Sequence, residues 1–316
     1  MTRYLVTGGC GFIGSHLVDA LLRQGHDVRV LDNLTSGRTQ NLHPDAELIF
    51  GDVANPTAVR AAMRNTDGCF HLAGAANPDD DWLDSHRSNL TGSVTVFDAA
   101  RRDKLPVVYA SSSGIYGDST EPRLTEGMPA RPQTRQGADA ASCELQARIA
   151  AGEGVPNTGL RLFHVYGPRQ DAEHPQAGVV AQFAARLQAG QSLLLHGDGG
   201  QTRDFVFVAD AVLLLLAAMQ RLELRGTALA DVFNLCTGRA TRIRELAQIM
   251  AGIAGRAPDL QLAMPRRNDL RQVVGDPDFA TRTLNQRAET RLEDGLRRLL
   301  AHTPAAAPLV AIAPRS

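Results

Sequence analysis

The feature that most constrains this chain is Tyr4-Leu5-Val6-Thr7 running into Gly8-Gly9-Cys10-Gly11-Phe12-Ile13-Gly14. An apolar run breaks into glycines at positions 8, 11 and 14, then continues as an amphipathic stretch to about Arg23. A short buried strand ending at Thr7, a sharp glycine turn and a helix starting near Phe12 form a known geometry, in which unpaired N–H groups and a helix dipole meet a pyrophosphate. The glycines alone are a weak signal, and their context strengthens it. A second strand, Asp27 to Leu31, closes on Asp32, at about the 20-residue distance expected of an acid that holds the ribose of a dinucleotide. The stretch therefore predicts a dinucleotide site in preference to a glycine turn without a ligand.

After Asp32 the pattern keeps alternating: Glu47 to Phe50, a helix over Thr57 to Arg64, Gly68 to Leu72, a long helix from about Trp82 to Arg102, then Val107 to Ala110. This βαβα order predicts an α/β fold of Rossmann type, a doubly wound parallel sheet with ligands at the carboxyl ends of its strands. The strand ends Asp32-Asn33, Gly51-Asp52-Val53, Leu72-Ala73-Gly74 and Ser111-Ser112-Ser113 are then expected to line one crevice. Beyond Leu162 the regularity loosens into a Gly- and Pro-rich loop over Tyr166 to Gly178, a helix to about Ala189, a turn at Gly197 to Gly200, and helices near Ile243 to Ala254 and Leu292 to Ala301. The runs Phe205 to Val208 and Val232 to Leu235 are read as returning to the first lobe. The expected division is a dinucleotide-binding domain of residues 1–164 and 205–236, an interleaved, smaller substrate-binding lobe of 165–204 and 237–302, and a flexible tail over 303–316.

Composition excludes several classes. The 316 residues, 43% of them hydrophobic, suffice for one large or two joined domains. With 33 basic against 34 acidic residues, neither nucleic acid nor an acidic membrane surface is an expected partner. Cys10, Cys69, Cys143 and Cys236 are scattered, which fits reduced thiols better than disulfides or a zinc site, so no metal is expected. No charged-then-apolar leader precedes the first strand, and the most apolar run, Val212 to Met219, is far below the ~20 residues that span a bilayer. A cytoplasmic protein is expected.

Further motifs point to a family: His71-Leu72-Ala73-Gly74, Asn89, Ser111-Ser112-Ser113-Gly114-Ile115-Tyr116-Gly117, Arg161-Leu162-Phe163-His164-Val165-Tyr166-Gly167-Pro168-Arg169, and Gly197-Asp198 leading to Arg203-Asp204-Phe205. With the glycine stretch, Asp32-Asn33 and Gly51-Asp52-Val53, they make the chain resemble the extended short-chain dehydrogenase/reductases from about Arg3 to Leu300. The likeness is to nucleotide-sugar epimerases and dehydratases of the UDP-glucose 4-epimerase type. The resemblance implies NAD held by Gly8, Gly11, Phe12, Ile13, Gly14, Asp32, Asn33, Asp52, Val53, Leu72, Ala73, Gly74, Asn89 and Ser111. A carboxylate at Asp32 accepts hydrogen bonds from ribose hydroxyls and repels a ribose phosphate, favouring NAD over NADP. Asp52 is also readable as a turn cap, and Asn89 as a solvated helix residue.

The resemblance further implies a UDP-sugar as ligand, a 4-epimerase type reaction through a 4-keto intermediate, and a homodimer built on the helices over Trp82 to Arg102 and Ala138 to Ala151. Ser112 matches the family's catalytic serine or threonine, with polar turn capping as its other reading. Ser112, Ser113, His164, Arg203, Arg266 and Arg271 are the implied substrate contacts. The guanidinium fork suits diphosphate oxygens, although Arg271 reads equally well as a surface residue. His164 is either a new acid or base or a structural hydrogen bonder.

The family pairs a tyrosine with a lysine four residues later, so that the ammonium acts on the phenol, whose free pKa of about 10 is too high for a base at neutral pH. Pro132, Gly137 and Glu144 fit that pattern, but Gln136 stands where the tyrosine belongs and Ala140 where the lysine belongs. An amide is no proton base at neutral pH and alanine supplies no charge, so conventional Tyr-Lys catalysis is not expected. His164 and Asn268 also replace the asparagine and glycine of their family segments. A non-catalytic NAD- and NDP-sugar-binding sensor, an inactive partner subunit or an engineered inactive variant are the alternatives to an enzyme.

Overall fold

The computed structural model describes residues 2–74, 82–174, 177–225, 230–265 and 269–302. Its centre follows from apolar side chains at consecutive strand positions. In β1 (Arg3–Thr7), Tyr4 and Val6 enter one apolar cluster and Leu5 another. In β2 (Asp27–Asp32), Val28 and Val30 go to the first and Leu31 to the second. Successive strand side chains point to opposite faces, so strands that carry apolar side chains on both faces require cover on both. β3 (Glu47–Phe50), β4 (Gly68–His71), β5 (Val107–Ser112), β6 (Asn157–Leu162) and the strand Ala230–Leu235 complete the sheet. All seven strands are parallel, in the order Ala230–Leu235, β6, β5, β4, β1, β2, β3.

The helices are α1 (Phe12–Arg23), α2 (Pro56–Met63), α3 (Trp82–His86), α4 (Gly92–Arg101), α5 (Arg135–Gly152), α6 (Val179–Gln188) and α7 (Val208–Arg225), with Ile243–Ile253, Asp278–Leu284 and Leu292–His302 beyond them. Leu17, Val18 and Leu21 of α1 and Leu214, Leu215 and Met219 of α7 fill the first cluster. Val59 and Met63 of α2, Val96 and Phe97 of α4, and Cys143 and Ala147 of α5 fill the second. This is the expected doubly wound arrangement. β1 has β2 on one side and β4 on the other, and such a reversal of strand order opens a crevice at the carboxyl ends.

One reading needs correction. The long helix expected over Trp82 to Arg102 is broken by a π turn, Arg87–Thr91, between α3 and α4. Gly92 at its end packs so tightly on Val53 that a Cβ there would lie 2.7 Å from a Val53 methyl, and a residue pattern alone does not register one extra residue in a turn. The run beginning at Phe205 does not enter the seven-stranded sheet: Phe205–Phe207 pairs in parallel with His164–Tyr166. Val206 still packs into the first cluster, whereas Phe205 and Phe207 join a third cluster with Tyr166, Phe183, Leu246, Met250 and Leu296. The paired strands Leu193–His196 and Leu260–Ala263 flank this region. The tail 303–316 lies outside the described residues.

Among the described residues no helix is long and apolar enough to cross a membrane. No group of three or more His, Cys, Asp or Glu among them is placed to hold a metal ion. All four cysteines are free and buried.

Candidate functional site

The glycine loop lies at the reversal of strand order. Gly8 has φ 72°, a left-handed conformation that L side chains rarely adopt, and a Cβ there would sit 2.8 Å from the backbone nitrogen of Ala73. The loop between β1 and α1 therefore packs directly on the chain leaving β4. Gly11 caps α1 without any side-chain hydrogen bond, leaving the positive end of the helix to a ligand. Asp32 is buried at the end of β2, where its Oδ2 accepts from the Cys10 N–H at 3.0 Å and its Oδ1 from the Leu34 N–H at 2.8 Å.

These elements surround a cavity of about 310 Å³ lined by Gly8, Gly11, Phe12, Ile13, Gly14, Asp32, Asn33, Val53, Leu72, Ala73 and Gly74. Eleven of the expected cofactor residues are thus brought together. Three others are not on its wall. Asp52 turns its Oδ1 to the Ala54 N–H at 2.7 Å, the capping role, with Arg87 at 3.6 Å. Ser111 donates its hydroxyl to Glu144 Oε1 at 2.7 Å in the core. Asn89 stands behind Gly74, where a Cβ would lie 3.1 Å from its Oδ1. Thr35, Ser36 and Gly37 after β2, and Ser88, Ala110, Leu162 and His174, also line the cavity. Ala110 and Leu162 could have been found as strand-end positions, whereas His174 reaches in from a loop with no pattern of its own.

At the crevice end of β5, Ser112 caps a 3-10 turn, Ser113–Tyr116, by accepting from the Gly114 N–H at 3.1 Å. Ser113 is buried. Thr134 caps α5 in the same way, accepting from the Gly137 N–H. Gly114 and Gly137 are in backbone contact, which seats the first turn of α5 against the Ser112 turn. Gln136 is exposed there and Ala140, one turn on, is half-buried. Between them in sequence, Asp139 is buried, with Oδ1 3.0 Å from His86 Nδ1 and Oδ2 accepting from Asn89 Nδ2 at 3.1 Å.

Tyr116 is no substitute for the missing phenol. Its hydroxyl donates to Asn234 Oδ1 at 2.6 Å and accepts from Arg161, and burial pushes it up to about 12 against the pull of that guanidinium. Arg161 is itself paired with Glu144 through two hydrogen bonds, at 2.9 and 2.8 Å, both partners inside the core.

The expected substrate contacts are spread over a second region. Arg203 is largely buried, bonded to Asp269 at 2.5 Å and to the carbonyls of Thr202 and Leu270. Arg271 is exposed and grips both oxygens of Asp198, and those bonds hold the Asp198 carboxyl down to about 2. His164 is half-buried, and its buried Nδ1 has no hydrogen-bond partner among the described residues. Burial, with Arg203 nearby, lowers its pKa to about 3, so at neutral pH it is an uncharged hydrogen-bonding group and a poor base. Arg266 and Asn268 lie outside the described residues.

Residues 4–236 match the model of the NAD dependent epimerase/dehydratase family. The chain belongs to that family. It is 36% identical over 309 residues to the UDP-glucose 4-epimerase of Mycolicibacterium smegmatis, covering 93% of this chain and 96% of that one. The Thermotoga maritima UDP-glucose 4-epimerase, solved with UDP-glucose, superimposes with a TM-score of 0.89 at 30% identity over 95% of this chain and 98% of that one. The Thermus thermophilus UDP-glucose 4-epimerase, solved as a complex with NAD, gives 0.85 at 34% over 95% and 98%. As an epimerase/dehydratase family member, this chain carries the family fold with an amide and a methyl group on the first turns of α5.

Proposed function

We propose that this chain binds NAD in the crevice and a UDP-sugar beside it, with 4-epimerase type chemistry suppressed by Gln136 and Ala140. The observation that carries the reading is Asp32, fixed by two backbone N–H groups at the rim of the glycine-lined cavity. The residues fit the cofactor: an uncapped helix N-terminus for the pyrophosphate, Asp32 and Asn33 for the adenosine ribose, and Val53 for the adenine. When bound, NAD supplies a hydride acceptor that takes a hydride from a sugar carbon and returns it. The chain's own part is binding and orientation. Residues 165–204 and 237–302 form the sugar-nucleotide lobe; His164, Arg203, Arg266 and Arg271 are the nucleotide contacts of this reading, and Ser112 and Ser113, from the dinucleotide-binding domain, the sugar contacts. Gln136 donates and accepts hydrogen bonds but takes no proton at neutral pH.

Gln136 and Ala140 equally support a second reading, a non-catalytic sensor of NAD and NDP-sugar or an inactive partner subunit. Calorimetry with NAD and UDP tests what the two share, since both ligands bind in either case, and a turnover assay of Gln136→Tyr with Ala140→Lys on a panel of NDP-sugars separates them: a pocket that lost only the catalytic pair regains turnover, and a remade sensor or partner-subunit pocket does not. Absence of NAD binding would overturn both readings.

A homodimer belongs to the proposal. Leu145 and Ile149, one turn apart on α5, are exposed, as are Trp82 and Leu83 on α3 and Val94 on α4, and α4 packs on α5. An apolar helical face of this kind suits a second copy of the chain. The free, buried cysteines support a reducing compartment, the cytoplasm.

A further inference from the structure

Two segments of the cavity wall come from distant parts of the chain: Thr35, Ser36 and Gly37 follow β2, and His174 belongs to the loop after the strand His164–Tyr166. One residue past Gly37 and three before His174, these segments are joined, Arg38 Nη2 donating to Asp171 Oδ2 at 2.6 Å. Each partner has a second tie. The Arg38 backbone N–H donates to the Cys10 carbonyl of the glycine loop at 3.0 Å. The other Asp171 oxygen accepts from the Glu173 N–H at 3.0 Å, a local turn that leads the chain to His174. The ion pair therefore couples the glycine loop, the wall after β2 and the loop that carries His174.

The root of that loop is fastened to α1 instead. His16 Nε2 donates to the Pro168 carbonyl at 2.9 Å, and Arg169 Nη2 to Asp19 Oδ2 at 2.7 Å. Arg169 has φ 66°, an uncommon left-handed conformation, so the chain turns sharply there. The Arg169 and Asp19 side chains are 32% and 22% exposed, against 57% and 31% for Arg38 and Asp171. An ion pair as open as the second is screened by salt and adds little to folding, so it can part while the root stays in place.

We propose that the Arg38–Asp171 ion pair is a latch that holds the segment 168–174 over the NAD crevice, its two partners acting as positioning residues that do not touch the cofactor. This rests on NAD binding in the crevice and deepens it. Segments that close over a bound cofactor gate its departure, so the pair sets how fast NAD leaves.

Stopped-flow release of NADH from the full chain, chased with excess NAD and followed by nicotinamide fluorescence, tests this on Arg38→Gln, Asp171→Asn and the double variant. Thermal unfolding of the cofactor-free proteins runs alongside. Asp171→Asn keeps an oxygen for the Glu173 N–H and removes only the charge. We expect each single change to speed release about three- to fivefold with little change in melting temperature. The double variant should be no faster than either single, because all three remove the same pair. Raising salt from about 0.02 to 0.5 M should speed release from the unmodified chain more than from the variants, and Arg38→Lys should restore part of the slow release. Unchanged release in both singles, or single effects that add in the double variant, would overturn the latch while leaving the proposed function intact. Faster release accompanied by a lower melting temperature and no difference in salt response would mark the pair as structural and overturn it as well. Failure of the unmodified chain to bind NAD in calorimetry would remove both.

Discussion

The carboxylate of Asp32 accepts a hydrogen bond from the backbone N–H of Cys10 at 3.0 Å, so the acid that ends β2 and the glycine loop that follows β1 form one hydrogen-bonded unit. The second carboxylate oxygen accepts from the Leu34 N–H.

Cofactor choice follows from that unit. Asp32 accepts from ribose hydroxyls and repels a ribose phosphate, so NAD should bind more tightly than NADP by at least tenfold. Each charge-assisted hydrogen bond is worth roughly 1.5–3 kcal/mol. Asp32→Ala should lose that preference and also lower the melting temperature, because it leaves the Cys10 N–H without an acceptor. Equal calorimetric affinities for NAD and NADP in the unmodified protein would refute the assignment.

The Glu144–Arg161 pair lies in the core with both partners about 5% exposed. Removing one partner of a buried pair strands the other charge, at a cost of about 3–5 kcal/mol. Glu144→Ala should show a loss of this size in denaturant unfolding, whereas a change below about 1 kcal/mol would mean that Arg161 finds another acceptor.

The pH dependence of stability should carry the mark of His71. Its ring nitrogens are taken by Thr7 Oγ1 at 2.8 Å and Ser93 Oγ at 3.0 Å, and burial lowers its pKa to about 4. Unfolded, it titrates near 6.5, so between about pH 6.5 and 4 the unfolded chain binds the extra proton and acid favours unfolding. Stability should fall by roughly 3 kcal/mol across that window from this residue alone. In His71→Asn the slope against pH should shallow by about one proton; an unchanged slope would show that His71 is protonated in the folded protein.

The missing catalytic pair gives a non-additive prediction. The unmodified protein should show little 4-epimerase turnover, and Gln136→Tyr with Ala140→Lys should raise it well above either single change. Tyrosine alone keeps a high pKa, and lysine alone has no phenol to act on. Brisk turnover by the unmodified chain would contradict the role given to Gln136 and Ala140.

The dimer face is tested by charge. Leu145→Asp with Ile149→Asp should shift the protein toward a monomer in sedimentation velocity at micromolar concentration, with NAD binding retained. An unmodified protein that already sediments as a monomer would dispose of the interface.

Local pattern determined the parts of this protein that depend on near neighbours. The apolar runs determined the strands, the 3.6-residue periods the helices around them, and the spacing of Gly8, Gly11, Gly14 and Asp32 the cavity they line, because each reflects backbone geometry and burial within one βαβ unit. Tertiary structure decided what each polar group faces. Ser111 belongs to Glu144, 33 residues away; Asn89 belongs to Asp139, 50 residues away; and Arg203 is held by Asp269, 66 residues away. The π turn at Asn89 and the entry of His174 into the cavity were equally invisible in sequence. Hydrogen-bond partners are chosen by which buried donors and acceptors the packed helices and strands bring within 3 Å of each other, and no periodicity along the chain encodes that choice.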